Sequence, residues 1–555
     1  MNVFSRLKYR KPREALSNKN RQALQEKIPS MQLQKSVLSH HLETNLGAFE
    51  SILGTNADLL VRRFLIQVRR QKHHCGLVYL DGSSSKADMN EILHALMLDM
   101  DSSKQSRDSL LDIVVQQCIP YADIALKKNF LDASNWLLSG NSLLFIDGLN
   151  SAIGLSTQAF KERTIAQPET EQVIQGSREG FIESVGTNMS LLRKRLRSSD
   201  LSLQLIQIGR VTATNVVYCY MKGIANENLV KEVKERLERV DVDALYGAGY
   251  LEQFIEDVPF SPFPQVQNTE RPDKAVAAML EGRVVILVDG TPFALIVPAV
   301  FTQFYQTTED YDTRFFMASM IRGIRVLALL FSLIFPSLYV SLISFNPEMI
   351  PTKFAVAVAG GRAGVPFPAI AEIFGLEMIM EILREATIRL PQQIGGALSI
   401  VGVLVIGQAA VQAGFVSPIT VVIVALTTIG SFATPAYNAA VALRMLRFPL
   451  MILAGLFGLY GVMVGLILIT NHLCSLESFG VPYLSPVMPG DGYGLRDAVL
   501  RAPVWMMWKR PRQLHTANQK RMNDQNPAQT QKGRALSSTS SSARIVSASK
   551  NRSKS

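Results

Sequence analysis

Four glutamates in the segment PFPAIAEIFGLEMIMEILREATIRLP, residues 366–391, have a spacing that suggests chemistry. Glu377, Glu381 and Glu385 recur every fourth residue, which puts them on one face of a helix, with Glu372 about a turn before them. Arg384 and Arg389 lie close to that face, and Glu385 to Arg389 is a well-oriented i,i+4 pair. Carboxylates at membrane depth are costly unless they face protein, a partner or water. Such a face can line an aqueous pathway for cations. It can equally sit in water while the helix lies on a membrane surface. The spacing alone leaves both readings open. Gln408 and Gln412, one turn apart on a later apolar run, would also need partners or water inside a bilayer.

Signatures of catalysis are missing. The sequence has no phosphate-binding P-loop, dinucleotide fingerprint, nucleophile elbow or zinc-protease motif. Asp81-Gly-Ser-Ser-Ser-Lys86 is a turn with a lysine. His73, His74 and Cys75 are adjacent, and a strand points adjacent side chains to opposite faces, so one metal ion could not use all three. Cys75, Cys118, Cys219 and Cys474 are far apart with no C-x-x-C, against a zinc site or a disulfide framework. Those in the front half fit a reducing compartment. The expectation is a protein that is not an enzyme, without cofactor or metal.

The elements that must hold the glutamates read as membrane helices. Val326–Phe345 has twenty residues without a charge, the length of a helix crossing a bilayer. Further uncharged runs are Ile394–Phe415, Val416–Val441 and Phe448–Thr470. The reading is a membrane domain over 314–487 with spans near 326–345, 394–415, 416–441 and 448–470, and 366–388 as an amphipathic or fifth segment. Gly395, Gly396, Gly402 and Gly407, with the pair Gly461 and Gly465, let helix backbones approach. Pro435, with Asn438, should loosen a turn. Topology does not close. Four spans return the C-terminal tail to its starting side but put Arg444 and Arg447 opposite, and five do the reverse.

In front of this domain the pattern alternates helices with short apolar strands, giving α/β subdomains over 36–165 and 166–313 after a basic arm over 1–35. The arm has no apolar stretch of the kind that marks a signal peptide. Cys75–Leu80 and Ser142–Asp147 are strand-like and end in Asp81-Gly82 and Asp147-Gly148. Val211–Met221 reads as a strand, Asn226–Val240 as a helix, and Val284–Val288 as a strand with a hairpin partner in Phe293–Val297. No internal repeat is legible. The fold class is thus a two-subdomain α/β soluble region followed by an α-helical polytopic membrane domain. The net charge of +11 belongs to the tail, where Arg501–Ser555 has twelve basic residues and Asp524 as its one acid. Beside a membrane that charge suits anionic lipid, and no nucleic-acid motif accompanies it. Residues 488–555 read as a basic, Ser-rich disordered tail.

Several stretches together resemble a known family. They are Gly282–Pro298 (GRVVILVDGTPFALIVP), Glu309-Asp-Tyr311, Pro336-Ser-Leu-Tyr339, Glu348-Met-Ile-Pro-Thr352, Pro366-Phe-Pro368, Glu381-Ile-Leu-Arg-Glu-Ala386 and Ile388-Arg-Leu-Pro391. Ser399–Val411 and Ser478-Phe-Gly-Val-Pro-Tyr-Leu484 extend them, and Arg178–Glu183, Asn188–Arg195 and Tyr220–Ala225 match in the front half. Over about 172–487 the sequence resembles the A subunit of GerA-type spore germinant receptors, related to the stage V sporulation AF protein. Ser177 stands where that family usually has proline, which bears on the local turn alone.

The resemblance implies a nutrient-gated complex in the inner membrane of a bacterial spore, with the N-terminal region cytoplasmic. It implies A subunits that associate, as pentamers, around a cation-conducting pore. A transporter-like B subunit binds the nutrient, and a lipoprotein C subunit completes the receptor. In such an oligomer Glu372, Glu377, Glu381 and Glu385 become rings that concentrate cations, which favours the pore-lining reading of their helix. The alternatives are an accessory channel of the stage V type without its own nutrient sensing, and a membrane scaffold. A secondary transporter would show inverted repeats, and the sequence has none.

Overall fold

The computed structural model describes residues 37–53, 56–68, 71–97, 110–115, 124–158, 167–389 and 407–522. The basic arm, Cys118, most of the run 394–415 with Gly395, Gly396 and Gly402, and the Ser-rich end therefore lie outside the described residues. The chain forms two compact units: residues up to 165 with 184–205 and 217–223, and residues 166–183 and 206–216 with those from 224 onward.

The first sheet shows why its strands read as apolar runs. Its elements are α1 (Leu42–Leu53), β1 (Leu59–Val68), β2 (Gln71–Leu80), α2 (Lys86–Met97), β3 (Ile124–Lys127), α3 (Phe130–Leu138), β4 (Ser142–Ile146) and β5 (Ala152–Leu155). The strand order is β1-β2-β4-β5-β3, with every neighbour antiparallel. Successive side chains face opposite ways along a strand. Cys75, Leu77, Leu144 and Ile146 therefore meet Ile92 and Leu96 of α2. Val78, Leu80, Leu143 and Phe145 meet Leu46 and Phe49 of α1 and Phe130 and Leu137 of α3 on the other face. Both faces of β4 are covered, so nothing in SLLFI is polar except Ser142. In the same unit α4 (Val185–Arg195) carries Arg193, whose guanidinium donates to both carboxylate oxygens of buried Asp58 at 2.9 and 3.0 Å.

The second sheet comprises β6 (Leu201–Ile208), β7 (Thr214–Met221), β8 (Gln267–Thr269), β9 (Val284–Val288) and β10 (Ala294–Val297). Helices α5 (Glu227–Glu238), α6 (Ala248–Ile255) and α7 (Pro272–Glu281) accompany it. Its order, β6-β7-β9-β10-β8, is the first sheet's order advanced by five strands. The duplication reaches the register. Ser142 pairs with Leu155 in one hairpin and Val284 with Val297 in the other, so both strands are displaced by 142 positions. The turns match too. Asp147 N donates to His74 O at 2.9 Å, and Asp289 N donates to Asn215 O at 3.0 Å. Gly148 and Gly290 follow at φ +90° and +84°, a region open to glycine at no steric cost. The fold thus repeats itself, contrary to the sequence reading. The pairings with a described register are all antiparallel, which makes this region α/β in the mixed sense.

The helical part contains α8 (Phe315–Ser344), α9 (Thr352–Arg362), α10 (Ala369–Arg389), α11 (Pro418–Phe432) and α12 (Tyr437–Ser475). By length and composition α8 and α12 can cross a membrane. Helix α8 begins eleven residues before the charge-free run and takes Arg322 and Arg325 into its first turns. The run 416–441 is divided, with α11 ending at Phe432 and α12 starting at Tyr437 around Pro435.

The run 448–470 is not one straight span. Gly458 (φ 61°, ψ −142°) reverses the chain within α12. A Cβ placed on Gly461 would overlap the carbonyl of Leu453, and one on Gly465 would overlap the side chain of Leu450. A straight helix would hold residues 450 and 465 roughly 22 Å apart at 1.5 Å per residue. Leu466, Ile469 and Leu473 share a cluster with Leu443 and Leu450, as antiparallel arms require. The arms, 437–457 and 459–475, are roughly 31 and 26 Å long, close to the ~30 Å of a bilayer's apolar core.

Residues 488–522 are packed, against the expectation of a disordered tail beginning at 488. Arg501 donates to the carbonyls of Thr313 (2.9 Å) and Tyr311 (3.3 Å), and Trp505 meets the ring of Phe315 edge-on. Their basic side chains cap carbonyls and form ion pairs, so composition alone misjudged them.

Candidate functional site

Helix α10 follows Pro366-Phe-Pro368, where proline holds the preceding chain extended and presets the first turn. Its apolar face enters the helix bundle. Ile373 packs with Tyr339 and Val340 of α8, Ile423 of α11 and Met451 of α12, and Leu376 with Val416 and Val424. Within 369–377 the helix buries Ala369, Glu372, Ile373, Leu376 and Glu377, and residues 378–387 are half-buried or exposed.

The four glutamates form a graded series along it. Glu372 is buried and pairs with Arg362 of α9 at 3.0 Å. It also accepts from Ser417 N at 2.9 Å and Thr420 Oγ1 at 3.0 Å. Glu377 is 5% exposed and pairs with Arg447 of α12 at 2.5 Å, with Thr427 Oγ1 donating at 3.3 Å. The other amino group of Arg447 donates to Ser332 Oγ of α8 at 2.8 Å, so one guanidinium joins three helices. Glu381 is partly exposed and lies 2.6 Å from Arg384 and 3.4 Å from Arg444. Glu385 is exposed, 2.5 Å from still more exposed Arg389. Enclosed pairs give way to open ones from one end of α10 to the other.

The remaining expected site residues fall outside this series. Gln408 and Gln412 are exposed on the short helical stretch 407–412. Gly407 faces Val421 of α11, while Gly461 and Gly465 let the two arms of α12 close on each other. Gly402 lies outside the described residues.

The sequence reading missed two features. At the foot of α8, fully buried Arg322 donates to Asp310 (3.1 Å) and Asp497 (2.9 Å), and Arg325 donates to Asp310 at 2.8 Å. Tyr311 OH donates to Asp497 at 2.7 Å. Desolvation of the phenol oxygen, with that carboxylate beside it, holds it above its ordinary pKa although the residue is 39% exposed. The signal was available in Glu309-Asp-Tyr311 and in two arginines just ahead of an apolar run. The second feature is a latch between the end of α12 and the second sheet's surroundings. It is built on the two-residue strands β11 (Glu477–Ser478) and β12 (Val481–Pro482). Ser478 Oγ donates to Gln265 O at 2.7 Å and accepts from Ala299 N at 3.0 Å. Tyr483 OH donates to Pro264 O, and Phe479 N to Asp257, both at 2.7 Å. Ser261 Oγ and His472 Nε2 are 2.9 Å apart. At the earlier departure, Ser177, the carbonyl accepts from Arg271 at 3.0 Å.

Comparison with known proteins supplies the context. The family described as Bacillus/Clostridium GerA spore germination protein matches residues 47–513. Spore germination protein KA of Bacillus subtilis (strain 168) is 42% identical over 496 residues, covering 88% of this chain and 90% of its own. The uncharacterized membrane protein YfkQ of the same organism is 39% identical over 476 residues, covering 85% and 91%. The solved N-terminal domain of the A subunit of the Bacillus megaterium spore germinant receptor GerK3 is 35% identical. It covers 48% of this chain and 98% of that one, with a TM-score of 0.39.

Proposed function

The chain belongs to the Bacillus/Clostridium GerA family of spore germination proteins, and from that premise we propose that it is the A subunit of a nutrient-gated germinant receptor whose helical part conducts cations. In this reading several copies, a pentamer, surround the pore in the spore inner membrane with the N-terminal region in the cytoplasm. A transporter-like B subunit senses the nutrient, a lipoprotein C subunit completes the receptor, and ion release starts germination.

The observation that supports the channel is the graded series on α10. Burying a carboxylate costs several kcal/mol unless a partner answers it. Arg362 and Arg447 answer Glu372 and Glu377 inside the chain, which makes these two the anchors of the helix. Glu381 and Glu385 are progressively open. Repeated around an axis, they become rings of negative charge that attract cations and repel anions. Exposed Gln408 and Gln412 would add neutral polar surface to the same pathway.

The test is monovalent cation flux through the purified full chain in liposomes. Glu381→Gln with Glu385→Gln should reduce flux several-fold while leaving oligomer size unchanged. Wild-type flux from an assembled double variant would remove these residues from the pathway.

A further inference from the structure

A cavity of about 80 Å³ lies where residues 488–522 fold back beside the end of α7 and Arg283. Arg283, Arg496, Lys509 and Arg521 line it, against Glu281 and Asp497. Arg283 is 2% exposed, and its Nη1 donates to the Pro298 carbonyl. Its Nε makes no hydrogen bond, and the Glu281 carboxylate is 3.6 Å away. A buried guanidinium donor left unmet costs free energy that a ligand can recover. Around it, among the described residues, Arg496, Lys509 and Arg521 have no carboxylate within 4.0 Å. Arg496 rests on the ring of Tyr493 (5.2 Å) and Lys509 on that of Trp508 (4.3 Å), which orients both charges without neutralising them. Asp497 is already committed to Arg322 and Tyr311. Glu281 is the one carboxylate that would oppose an anion, and burial raises its pKa, which lowers the cost of silencing it with a proton.

The geometry points to a phosphate-binding site in this cavity, with Arg283 at its floor and Arg496, Lys509 and Arg521 at its rim. A guanidinium fork suits a phosphate's oxygens, and a lysine adds a point charge. The position specifies the sources. The same segment sets Trp505 against Phe315, the first residue of α8, and Asp497 of the cavity wall holds Arg322 about two turns further on. Tryptophan and tyrosine gather where helices enter a bilayer, so a lipid headgroup and free phosphate can both reach the site.

The experiment uses the full chain in neutral detergent and follows its thermal midpoint. One arm titrates inorganic phosphate against chloride at matched ionic strength. The other adds phosphatidylglycerol or phosphatidylcholine to the micelles. The comparison protein is Arg496→Gln with Arg521→Gln, two exposed positions, and its thermal midpoint without added phosphate or lipid is compared with wild type first. We expect a saturable upward shift whose half-saturating concentration rises about tenfold or more in the variant, the effect of losing charge-assisted bonds. A shift with inorganic phosphate makes the phosphate group itself sufficient. A shift with phosphatidylglycerol alone identifies a headgroup site. Absence of both shifts, or equal shifts in wild type and variant, overturns the proposal.

Discussion

Glu377 and Arg447 show what a single buried pair decides in this protein. Both are almost fully enclosed, and the arginine also holds Ser332. Removing one partner leaves a bare charge among apolar helices, which costs about 3–5 kcal/mol, whereas replacing both with apolar residues of similar volume is often neutral. Glu377→Leu and Arg447→Met should each lower the unfolding midpoint of the detergent-solubilised protein strongly. Their combination should recover most of the loss, giving a large coupling in a double-mutant cycle. Additive losses would mean the pair does not hold α10. The glutamates were legible in the sequence because a four-residue spacing is visible in one dimension. Their partners were not. Arg444 and Arg447 read as loop charges under a rule that places arginines at membrane edges, and pairing across seventy residues leaves no local trace.

At the scale of elements, apolar composition conceals geometry. Residues 448–470 have the same hydropathy whether the helix runs straight or doubles back, so a single span was the natural reading, and only contacts reveal the reversal at Gly458. Substitution of the glycines separates the two. Gly461→Ala should destabilise by about 1–3 kcal/mol, because the added Cβ meets the Leu453 carbonyl, a backbone atom that cannot step aside. Gly323→Ala in α8, where nothing stands within 4 Å, should be neutral or stabilise by about 0.5–1 kcal/mol. Equal effects at the two positions, measured by denaturant unfolding, would argue for a straight α12. The duplicated sheet was hidden for a related reason. Its two halves keep the strand order and the Asp-Gly turn, where a positive φ demands glycine, while the apolar residues between them are interchangeable. A strand-by-strand reading found Ser142–Asp147, Val284–Val288 and its hairpin partner correctly, but order and register are properties of pairing and not of any one strand.

For the whole molecule, the reversal in α12 brings its two ends to one level of the helical part, which suggests an arrangement that four or five straight spans did not offer. The start of α8, the start of α12 and its end meet one set of residues. Arg322 reaches Asp497, Ala436 N donates to Phe304 O at 3.3 Å, and His472 meets Ser261. The opposite ends gather elsewhere. Gly458 lies against Phe345, Gly414 against Gly364, and the rings of Phe367 and Phe415 stack. Arg444 and Arg447 sit between these levels, paired to α10, so they cast no vote on which side is positive. The expected arrangement puts residues 224–297 and 477–522 on one face of the membrane and the loop before α9 on the other. With Cys118 and Cys474 replaced by serine, which leaves only the buried Cys75 and Cys219, a cysteine at Asn228 and one at Gln519 should react with an impermeant maleimide from the same side of sealed vesicles. A cysteine at Glu348 should react only from the opposite side. Labelling of positions 228 and 519 from different sides would mean that α12 crosses once, and the bundle would have to be rebuilt around an odd number of spans.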